Sequence, residues 1–484
     1  MKMLQVLLRG LSIKKLLGPI DIPITTLCFD SRQAVAHSCF VAIVGTQVDG
    51  HNYVSEAIAA GSSAIVCEEL VEPIQADVTY IVVDATDKAL GIMAANFYDH
   101  PSKKLKVVAV TGTNGKTTMV HLLYNMVKQM GYKAGMVSTI CNKILDQNYS
   151  PSHTTPDALQ LQAFLHLMVE AGCQYCFIEA SSHGIVQNRL AGVDLLGAIF
   201  TNISHEHLDY HIDFLHYIKA KKKLFDTLPT TAFALVNQED KNSSVMLQNC
   251  KAKKFTFSIC DPANFRAKIV TNTLDGLELE IEQQQIWFQL IGAFNASNLV
   301  AAYGASQLLG LNSQKSLVAL SAIPPALGRM NKVYHGKKQH VIIDYAHTPD
   351  ALEKVMATLY AMRPTTNSRL LTVMGCGGNR DKQKRVMIGK ILADNSDMAI
   401  FTSDNPRDED PQEIINSMQL GVPVAARQKV LHIIDRTMAL KMACLLANAN
   451  DVILIAGKGH ENYQEIKGVK HYFCEEEIIQ AIYK

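Results

Sequence analysis

The most restrictive feature of this sequence is a glycine-containing loop between an apolar run and a helical pattern. Residues 105–110 form a short apolar run that predicts a buried strand, and residues 117–130 have the periodicity of a helix. The loop between them reads Gly-Thr-Asn-Gly-Lys-Thr-Thr over residues 112–118. A strand that leads through such a loop into a helix is typical of α/β folds, so the loop indicates the class of at least one domain.

The same loop predicts a phosphate-binding site. Phosphates are held by free backbone amides at a helix N-terminus, by glycines that allow close approach, and by a lysine, here Lys116. The hydroxyl of Thr117 is suited to bind Mg²⁺. The loop is a shorter variant of the Walker A pattern, because Val110 stands where that pattern has its first glycine. We therefore expect an enzyme that uses ATP.

Length and charge limit the remaining possibilities. A chain of 484 residues is too long for one hydrophobic core, so two or three domains are expected. The net charge of +1 argues against a broad contact with nucleic acid. The sequence contains neither a cleavable leader nor an apolar run of about 20 residues, so we expect a cytoplasmic protein that does not insert into membranes. We also expect a monomer, with its eleven cysteines as free thiols.

The pattern of strands and helices divides the chain into three parts. Residues 1–100 read as a small α/β domain, residues 101–333 as a central domain around the phosphate loop, and residues 334–484 as a third domain with alternating strands and helices. We therefore predict an α/β protein of three domains. The central one is a P-loop-type nucleotide-binding domain on a mainly parallel sheet, and the C-terminal one is Rossmann-like. The predicted strands, besides 105–110, are 39–44, 64–67, 80–83, 175–178, 341–344, 370–374, 398–402 and 452–456.

A second candidate site follows the predicted strand at residues 175–178. Glu179 stands at its carboxyl end, where ligands collect in open α/β sheets, so it is a candidate metal ligand. Ser181, Gln187 and Arg189 are candidate contacts for an anionic substrate. Taken alone, an ordinary junction between a strand and a loop explains this segment equally well.

A third candidate site lies within residues 201–211, which contain three histidines and two acids. Structural zinc fits poorly, since neither a cysteine nor an HExxH pattern is present there. Magnesium with one assisting histidine, or a plain polar loop, is favoured. Downstream, Lys219, Lys221, Lys222 and Lys223 lie on a predicted helix, and a solvated helix face explains three of these four lysines.

Together, the motifs resemble the Mur ligases of bacterial cell-wall synthesis, and the resemblance covers nearly the whole chain. The segments that match in family order are 112–118, 179–184, 207–211, 217–225, Asn295 with Asn298, 344–350, 375–381 and 457–461. Asn379, Asn331 and Cys474 depart from the family, which commonly has acids at these positions.

The resemblance implies an ATP-dependent ligase that joins an acid to an amino acid. In this family the γ-phosphate of ATP is transferred to the D-glutamyl carboxylate of UDP-N-acetylmuramoyl-L-alanyl-D-glutamate. An amine then attacks the acyl phosphate, which forms the third residue of the stem peptide. The resemblance implies ATP as co-substrate, two Mg²⁺ ions, and small-molecule partners only.

The resemblance also assigns residues by role. The implied catalytic residues are Lys116, Lys221, His207 and Glu179. The implied ATP contacts are Gly112, Thr113, Asn114, Gly115, Lys116, Thr117, Thr118, Asn295 and Arg329. The implied contacts of the UDP substrate are Phe29, Ser31, Thr46, Gln47, Val48, His153, Thr154, Thr155, Ser181, Gln187 and Arg189. The implied metal ligands are Thr117, Glu179, His207 and Lys221, the last as a carbamate.

The choice of amino acid depends on residues 404–407, which resemble the signature of enzymes that add meso-diaminopimelate. Diaminopimelate has a second carboxylate that lysine lacks, and the guanidinium of Arg407 can bind it through two charge-assisted hydrogen bonds. A site built for that carboxylate should reject lysine, because the arginine would stay unpaired. The implied contacts of this amino acid are Arg380, Asp404, Asn405, Pro406, Arg407, Gly457 and Glu461.

Three alternatives remain at this point. The related folylpolyglutamate synthetases share the phosphate loop and form amide bonds, but they do not explain the N-terminal domain or residues 404–407. A lysine-adding ligase is closer. A nucleotide-binding switch that hydrolyses ATP without forming a bond belongs to another class, and Glu179, His207 and Lys221 argue against it.

Overall fold

The computed structural model describes residues 1–46, 48–204, 210–335 and 339–484, with Tyr334 and His335 described by their backbone alone. The described part of the chain contains three mainly parallel sheets in succession, each packed with helices. The predicted α/β class with three domains is thus confirmed, while the exact domain boundaries stay a prediction. Among the residues that the structure describes, no helix combines the length and the apolar character that crossing a membrane requires.

The N-terminal domain has a sheet with strand order β2-β7-β6-β5-β4, in which β2 alone runs antiparallel to its neighbour. Its strands are β1 Lys2–Met3, β2 Ile13–Leu17, β3 Pro23–Ile24, β4 Thr26–Cys28, β5 Ser38–Val41, β6 Ser62–Cys67 and β7 Thr79–Val83. Its helices are α1 Leu4–Leu7, α2 Val54–Ala59 and α3 Thr86–Phe97. Short 3₁₀ turns cover Ser31–Gln33 and Gly50–Tyr53.

The middle domain has a long sheet with strand order β11-β10-β9-β12-β8-β13-β14-β15-β16-β17-β18. The strands are β8 Lys106–Thr111, β9 Ala134–Val137, β10 Asn142–Ile144, β11 Gln147–Tyr149, β12 Tyr175–Glu179, β13 Gly197–Phe200, β14 Phe233–Asn237, β15 Lys253–Ser258, β16 Phe265–Asn272, β17 Leu277–Ile281 and β18 Gln284–Phe288. The helices are α4 Lys116–Gln129, α5 Ala158–Glu170, α6 Ser182–Val186, α7 Phe214–Asp226, α8 Ser243–Leu247, α9 Ala293–Leu308 and α10 Ser313–Ser321. A 3₁₀ turn at Pro101–Lys104 precedes β8.

The C-terminal domain has a sheet with strand order β19-β20-β24-β21-β22-β23, parallel except for β19. The strands are β19 Asn331–His335, β20 Gln339–Asp344, β21 Leu370–Met374, β22 Met398–Phe401, β23 Val430–His432 and β24 Asp451–Ala456, followed by the hairpin of β25 Tyr463–Ile466 and β26 Val469–Tyr472. The helices are α11 Pro349–Ala361, α12 Lys382–Asn395, α13 Pro411–Gln419, α14 Arg436–Leu446 and α15 Glu475–Tyr483, with a 3₁₀ turn at Val424–Lys429.

Strand β8 shows why the central strands are apolar throughout. Val108 and Val110 pack on the side of α4 and α9, while Ala109 packs on the opposite side with α7. Parallel sheets covered on both faces bury every residue of their central strands, and each fully buried valine contributes about 1.5 kcal/mol or more. The carboxyl end of β8 is therefore held in place where the phosphate loop begins.

The strands predicted from the apolar runs are present to within three residues at their ends. The helix predicted at residues 117–130 is α4, at Lys116–Gln129. No local sequence pattern predicted the antiparallel extension from β16 to β18 or the hairpin of β25 and β26. The strands of both have exposed faces, and their weaker apolar pattern gives little sequence signal.

The N-terminal and middle domains meet by close backbone packing. Helix α3 crosses the segment that joins α6 to β13, and a Cβ atom on Gly91 would lie 2.5 Å from the carbonyl oxygen of Ala191. A Cβ atom on Gly192 would lie 2.5 Å from the carbonyl oxygen of Gly91. Beside these glycines, the amide of Asn188 donates to Asp87 at 2.8 Å. The two domains can approach this closely only because both positions lack side chains.

We predict that Gly91→Ala destabilises the protein, although alanine favours a helix over glycine by about 1 kcal/mol. A methyl group 2.5 Å from a backbone oxygen forces the two domains apart, and overpacking of this kind costs about 1–3 kcal/mol. The midpoint of thermal unfolding should fall by several degrees, measured by circular dichroism. Lys88→Ala, on the exposed side of the same helix, should change it little. An unchanged midpoint in Gly91→Ala would contradict this account of the junction.

Candidate active site

The phosphate loop needs its two glycines for packing as well as for backbone conformation. Gly112 and Gly115 have φ angles of 154° and 89°. A Cβ atom would lie 1.9 Å from the hydroxyl of Thr201 at Gly112, and 2.8 Å from the amide oxygen of Asn298 at Gly115. Any larger residue would therefore displace the loop.

The end of the neighbouring strand β13 holds the loop by hydrogen bonds. The hydroxyl of Thr201 donates to the carbonyl of Asn114 at 2.6 Å, and the backbone amide of Thr113 donates to the carbonyl of Asn202 at 2.8 Å. The side chain of Asn202 accepts a hydrogen bond from the amide of Asn114 at 3.0 Å. These bonds fix the loop before any ligand binds.

Two lysines point at the same turn of the loop. The ammonium of Lys116 donates to the carbonyls of Gly112 and Thr113 at 2.7 and 2.8 Å. The ammonium of Lys221, which is 1% exposed, donates to the carbonyl of Gly112 at 2.9 Å and lies 4.6 Å from the ring centre of Tyr217. Helix α4 begins here without a side-chain cap, so its first amides are available to an anion.

The prediction for the lysine run of α7 is partly right. Lys219 and Lys223 are exposed, as expected for a solvated face. Lys222 is buried and forms an ion pair with Asp226 at 2.6 Å, so the solvated interpretation is wrong for this residue. The helix turns Lys221 and Lys222 toward the protein, because its amphipathic face includes Ile218 and Phe225.

Glu179 is the last residue of β12 and is fully buried, as predicted for a carboxylate at a strand end. Its two oxygens accept hydrogen bonds from the backbone amide and the hydroxyl of Thr139 at 2.9 and 3.0 Å. The hydroxyl of Thr139 also lies 3.1 Å from that of Thr154. The carboxylate is thus oriented by donors at fixed positions.

A cavity of about 510 Å³ brings the predicted groups together. It joins the phosphate loop to Glu179 and Lys221, and residues from the third domain close its other side. The predicted residues that line it are Thr113, Asn114, Gly115, Lys116, Thr117, Thr118, His153, Thr154, Thr155, Glu179, Ser181, Gln187, Arg189, Lys221, Arg329 and Arg380.

A second cavity of about 700 Å³ lies between the N-terminal and middle domains. Of the predicted UDP-substrate contacts, Phe29, Ser31, Thr46 and Val48 line it, together with Gln187 and Arg189. Because Gln187 and Arg189 line both cavities, the two spaces adjoin there. One elongated ligand can therefore reach from the first domain to the phosphate loop.

The side chains where the cavities adjoin form one hydrogen-bonded group. Arg189 donates to the carbonyl of Thr155 at 2.6 Å and to the amide oxygen of Gln187 at 2.7 and 3.0 Å. The hydroxyls of Thr155 and Ser181 lie 3.1 Å apart, and Ser181 caps helix α6 through the amide of Gly184. These contacts fix the position of the Arg189 guanidinium beside the cavity.

Two predicted residues, Gln47 and His207, lie outside the described residues, so their roles stay predictions. Among the residues that the structure does describe, no three His, Cys, Asp or Glu side chains are close enough to hold a metal together. The groups that line the 510 Å³ cavity include oxygens of Glu179 and Thr117, which suit the hard ion Mg²⁺.

The third domain reaches the phosphate loop directly. The guanidinium of Arg329 donates to the hydroxyl of Thr117 at 3.3 Å and stacks on Tyr345, 4.6 Å from the ring centre. Asp350 accepts hydrogen bonds from Asn114 at 3.4 Å and from Ser204 at 2.9 Å. The predicted Asn295 is buried and holds Asn298, the residue packed against Gly115.

The residues predicted to bind the amino acid lie close together. A Cβ atom on Gly457 would lie 3.2 Å from the carboxylate of Asp404, and one on Gly377 would lie 3.0 Å from Arg407 and 3.6 Å from Arg380. Asn405 is buried, and its amide donates to Glu461 at 2.8 Å.

Lys458 is a residue of this region that the sequence analysis did not single out. It is fully buried, donates to Asn405 at 3.2 Å and lies 3.4 Å from Glu461. The sequence offered one signal for this residue: Lys458 lies inside segment 457–461, one of the segments that resemble the Mur ligases.

Buried arginines support the loops of this region, and sequence reasoning missed them. Arg385, 2% exposed, binds both oxygens of Glu409 at 2.7 and 2.8 Å and donates to the carbonyl of Gly377 at 3.2 Å. Arg436 is paired with Glu475 at 2.7 Å and donates to the carbonyls that precede Asp404 and Gly457. No local pattern marks these pairs, since their partners lie 24 and 39 residues apart in the sequence.

Family models match three successive parts of the chain. They are described as the Mur ligase family catalytic domain (residues 23–98), the Mur ligase middle domain (residues 110–306) and the Mur ligase glutamate ligase domain (residues 328–459). The UDP-N-acetylmuramoyl-L-alanyl-D-glutamate–2,6-diaminopimelate ligase of Cytophaga hutchinsonii is 48% identical over 477 residues, which are 98% of each chain. This chain belongs to the Mur ligase family.

Solved structures agree with this membership. The structure of a UDP-N-acetylmuramoyl-L-alanyl-D-glutamate–2,6-diaminopimelate ligase, 31% identical, covers 100% of this Mur ligase and 98% of its own chain, with a TM-score of 0.71. The folylpolyglutamate synthase of Mycobacterium tuberculosis shares the fold at 15% identity, with a TM-score of 0.62, over 76% of this chain and 92% of its own.

We predict that Glu409→Gln lowers the free energy of unfolding of this Mur ligase by an amount that depends on pH. Hydrogen bonding to Arg385 lowers the pKa of Glu409 to about 2, below the value of about 4.3 in an unfolded chain. The ion pair therefore stabilises the fold above about pH 4.3 and loses this effect as the pH falls toward 2. At pH 7 the variant should lose about 2 kcal/mol of unfolding free energy.

Urea unfolding between pH 3 and pH 7 measures this effect, and the difference between wild type and variant should shrink toward pH 3. Glu413→Gln, an exposed carboxylate on α13, is the matched control and should differ little from wild type throughout. A difference for Glu409→Gln that stays constant over this range would contradict the assignment.

Proposed function

We propose that the residues of the 510 Å³ cavity activate a carboxylate with ATP and then join it to an amine. The chain is an ATP-dependent ligase of the MurE branch of its family. It adds meso-diaminopimelate to UDP-N-acetylmuramoyl-L-alanyl-D-glutamate in peptidoglycan synthesis. The observation that carries the residue assignments is the convergence of the phosphate loop, Glu179 and Lys221 in one cavity.

ATP binds at the start of α4. The amides of the helix N-terminus and the side chain of Lys116 hold its phosphates, and Arg329 contacts it from the segment that leads into the third domain. Lys116 already lies against the loop, so it needs only to exchange backbone carbonyls for phosphate oxygens. The remaining ATP contacts are those of the loop itself, together with Asn295 behind it.

Thr117, Glu179, His207 and the carbamate of Lys221 would hold two Mg²⁺ ions. Bound there, the ions offset the repulsion between phosphate and carboxylate. Glu179 suits this role because Thr139 fixes both of its oxygens. Thr117 suits it because its hydroxyl faces the cavity at the first turn of α4.

Lys221 becomes a carbamate in this proposal. The ammonium first loses a proton, the neutral amine then attacks carbon dioxide, a C–N bond forms, and a second proton is released, so a cation becomes an anion with two oxygens. The side chain of Lys221 is buried against the phosphate loop. Without the carbamate, it places a positive charge there. This position allows the new oxygens to face the phosphate site.

The reaction then has two substitutions. An oxygen of the D-glutamyl carboxylate attacks the γ-phosphorus while the bond to the β–γ bridging oxygen breaks and ADP leaves. The amine of diaminopimelate attacks the acyl carbon, phosphate leaves, and the amine loses a proton. Arg189, Thr155 and Ser181 position the substrate between the cavities, so that the carboxylate reaches the phosphate.

The substrates occupy the three domains in order. The uridine part binds in the 700 Å³ cavity with Phe29, Ser31, Thr46, Gln47 and Val48, and the peptide part extends past His153 and Thr154. Diaminopimelate binds to the C-terminal domain. There Arg407 and Arg380 hold carboxylates and Glu461 holds an ammonium, beside Asp404, Asn405, Pro406 and Gly457.

We also propose that the enzyme acts as a cytoplasmic monomer, since its substrates are soluble small molecules. A folylpolyglutamate synthetase is disfavoured because residues 23–98 match the N-terminal domain of the Mur ligases. An ATP-hydrolysing switch is disfavoured because the third domain contributes Arg329 and Arg380 to the ATP cavity.

We predict that phosphate release from ATP requires both UDP-N-acetylmuramoyl-L-alanyl-D-glutamate and meso-diaminopimelate. L-Lysine should support less than about 1% of that rate, because lysine has no second carboxylate to bind the guanidinium of Arg407. A coupled phosphate assay with either amino acid, or with none, tests this. A preference for lysine would overturn the assignment of residues 404–407, and release without any amino acid would favour a switch.

We predict that Lys221→Ala lowers turnover by at least about 100-fold, as the loss of a group that stabilises developing charge does. Added bicarbonate should not rescue the variant, because alanine has no amine to carbamylate. Lys219→Ala, on the exposed side of the same helix, should keep wild-type turnover. Binding of a fluorescent ATP analogue by both variants checks that the loop is intact. Full activity in Lys221→Ala would exclude the carbamate.

A further inference from the structure

Arg407 is held in a backbone conformation that few residues other than glycine adopt. Its φ angle is 51°, in the left-handed region. Two backbone hydrogen bonds join it to the hairpin of β25 and β26, from its own amide to the carbonyl of Glu465 at 3.1 Å and from the amide of Lys467 to its carbonyl at 2.8 Å. The hairpin therefore fixes the backbone position from which the side chain of Arg407 extends.

The guanidinium of Arg407 is also held at two of its three nitrogens. Nη1 donates to the carbonyl of Gly378 at 2.8 Å, and Nε lies 3.3 Å from the carboxylate of Glu465. The side chains of Arg407 and Glu465 are 23% and 25% exposed, so water screens this ion pair only partly. Among the described residues, Nη2 makes no hydrogen bond, which leaves it to a ligand.

Glu465 contacts a second residue of the amino-acid site. Its backbone amide donates to the side-chain oxygen of Asn405 at 2.9 Å, and the other end of that amide group donates to Glu461. Glu465 thus joins Arg407 to Asn405 and, through Asn405, to Glu461. Its contacts to Asn405 and to the amide of Arg407 use backbone atoms alone, so a change of its side chain affects only the ion pair.

We propose that the carboxylate of Glu465 is the positioning group that makes the enzyme selective for an amino acid with a second carboxylate. This inference rests on the proposed diaminopimelate site. A guanidinium is planar, so two fixed nitrogens fix the direction of the third. With Nε bound to Glu465 and Nη1 to Gly378, Nη2 keeps one direction toward the substrate carboxylate.

The charge of Glu465 serves the same purpose. Before the substrate binds, it balances the partly buried guanidinium, so that Arg407 need not turn toward another acceptor. An incoming carboxylate adds a partner at Nη2 without displacing Glu465. Lysine offers no carboxylate there, and its ammonium would face the guanidinium with repulsion.

The test compares Glu465→Ala and Glu465→Gln with His471→Ala, an exposed residue of the facing strand β26. In Glu465→Ala the KM for meso-diaminopimelate should rise about tenfold, because the ion pair that holds Nε of Arg407 is lost. The ratio of kcat/KM for diaminopimelate over L-lysine should fall by a similar factor. The KM values for ATP and the UDP substrate, kcat at saturation and the unfolding midpoint should stay at wild-type values.

Glu465→Gln should lie between wild type and Glu465→Ala, because glutamine keeps a polar oxygen near Nε of Arg407 but lacks the charge. His471→Ala should match wild type in every measurement. An unchanged or lower KM for diaminopimelate in Glu465→Ala would overturn the inference. So would equal losses for all three substrates, which would indicate a purely structural role.

The same data separate this inference from the proposed function. A wild-type enzyme that uses L-lysine as well as diaminopimelate would contradict the proposed function, and with it the inference. A selective wild-type enzyme whose selectivity survives in Glu465→Ala would contradict the inference alone.

Discussion

The structure depends on the hydrogen-bonded contact between the phosphate loop and the end of strand β13. Thr201 and Asn202 bind the loop at Thr113 and Asn114, and this contact is possible only because Gly112 has no side chain. The parallel pairing of β8 with β13 places these residues side by side. The loop is therefore rigid, and the cations and helix amides around it converge on one point before a ligand binds.

The chemistry also requires that groups from different domains meet at this point. A carboxylate and a triphosphate repel each other in water, so bringing them together requires binding groups that hold both anions in place. The close packing at Gly91 joins the first two domains, and Arg329 and Asp350 join the third domain to the phosphate loop. The cavities adjoin at Gln187 and Arg189, which lets one elongated substrate reach the phosphate.

In the C-terminal domain, buried ion pairs hold the loops in place, as close packing at glycines does for the phosphate loop. Arg385 with Glu409, and Arg436 with Glu475, support backbone carbonyls at the ends of the strands. Burying such charges is costly unless each is paired and hydrogen-bonded, so the loss of one partner leaves the other charge uncompensated and destabilises these loops. Asn379, where the family commonly has an acid, fits this arrangement because its amide donates to Asp408 at 2.7 Å. A second acid at that position would repel Asp408.

The sequence by itself determined the α/β class, the central strands, the phosphate loop and the carboxylate at the end of β12. Each of these depends on a local pattern: an apolar run, a glycine between a strand and a helix, or a polar residue directly after a strand. Family resemblance added single residues such as Arg407. Only the tertiary structure decided that Lys222 is buried beside Lys221, and that Arg385, Lys458 and Glu465 surround the residues proposed to bind the amino acid. These contacts join residues that are distant in sequence, and which of them meet depends on how helices and loops pack across the sheet, which no local pattern encodes.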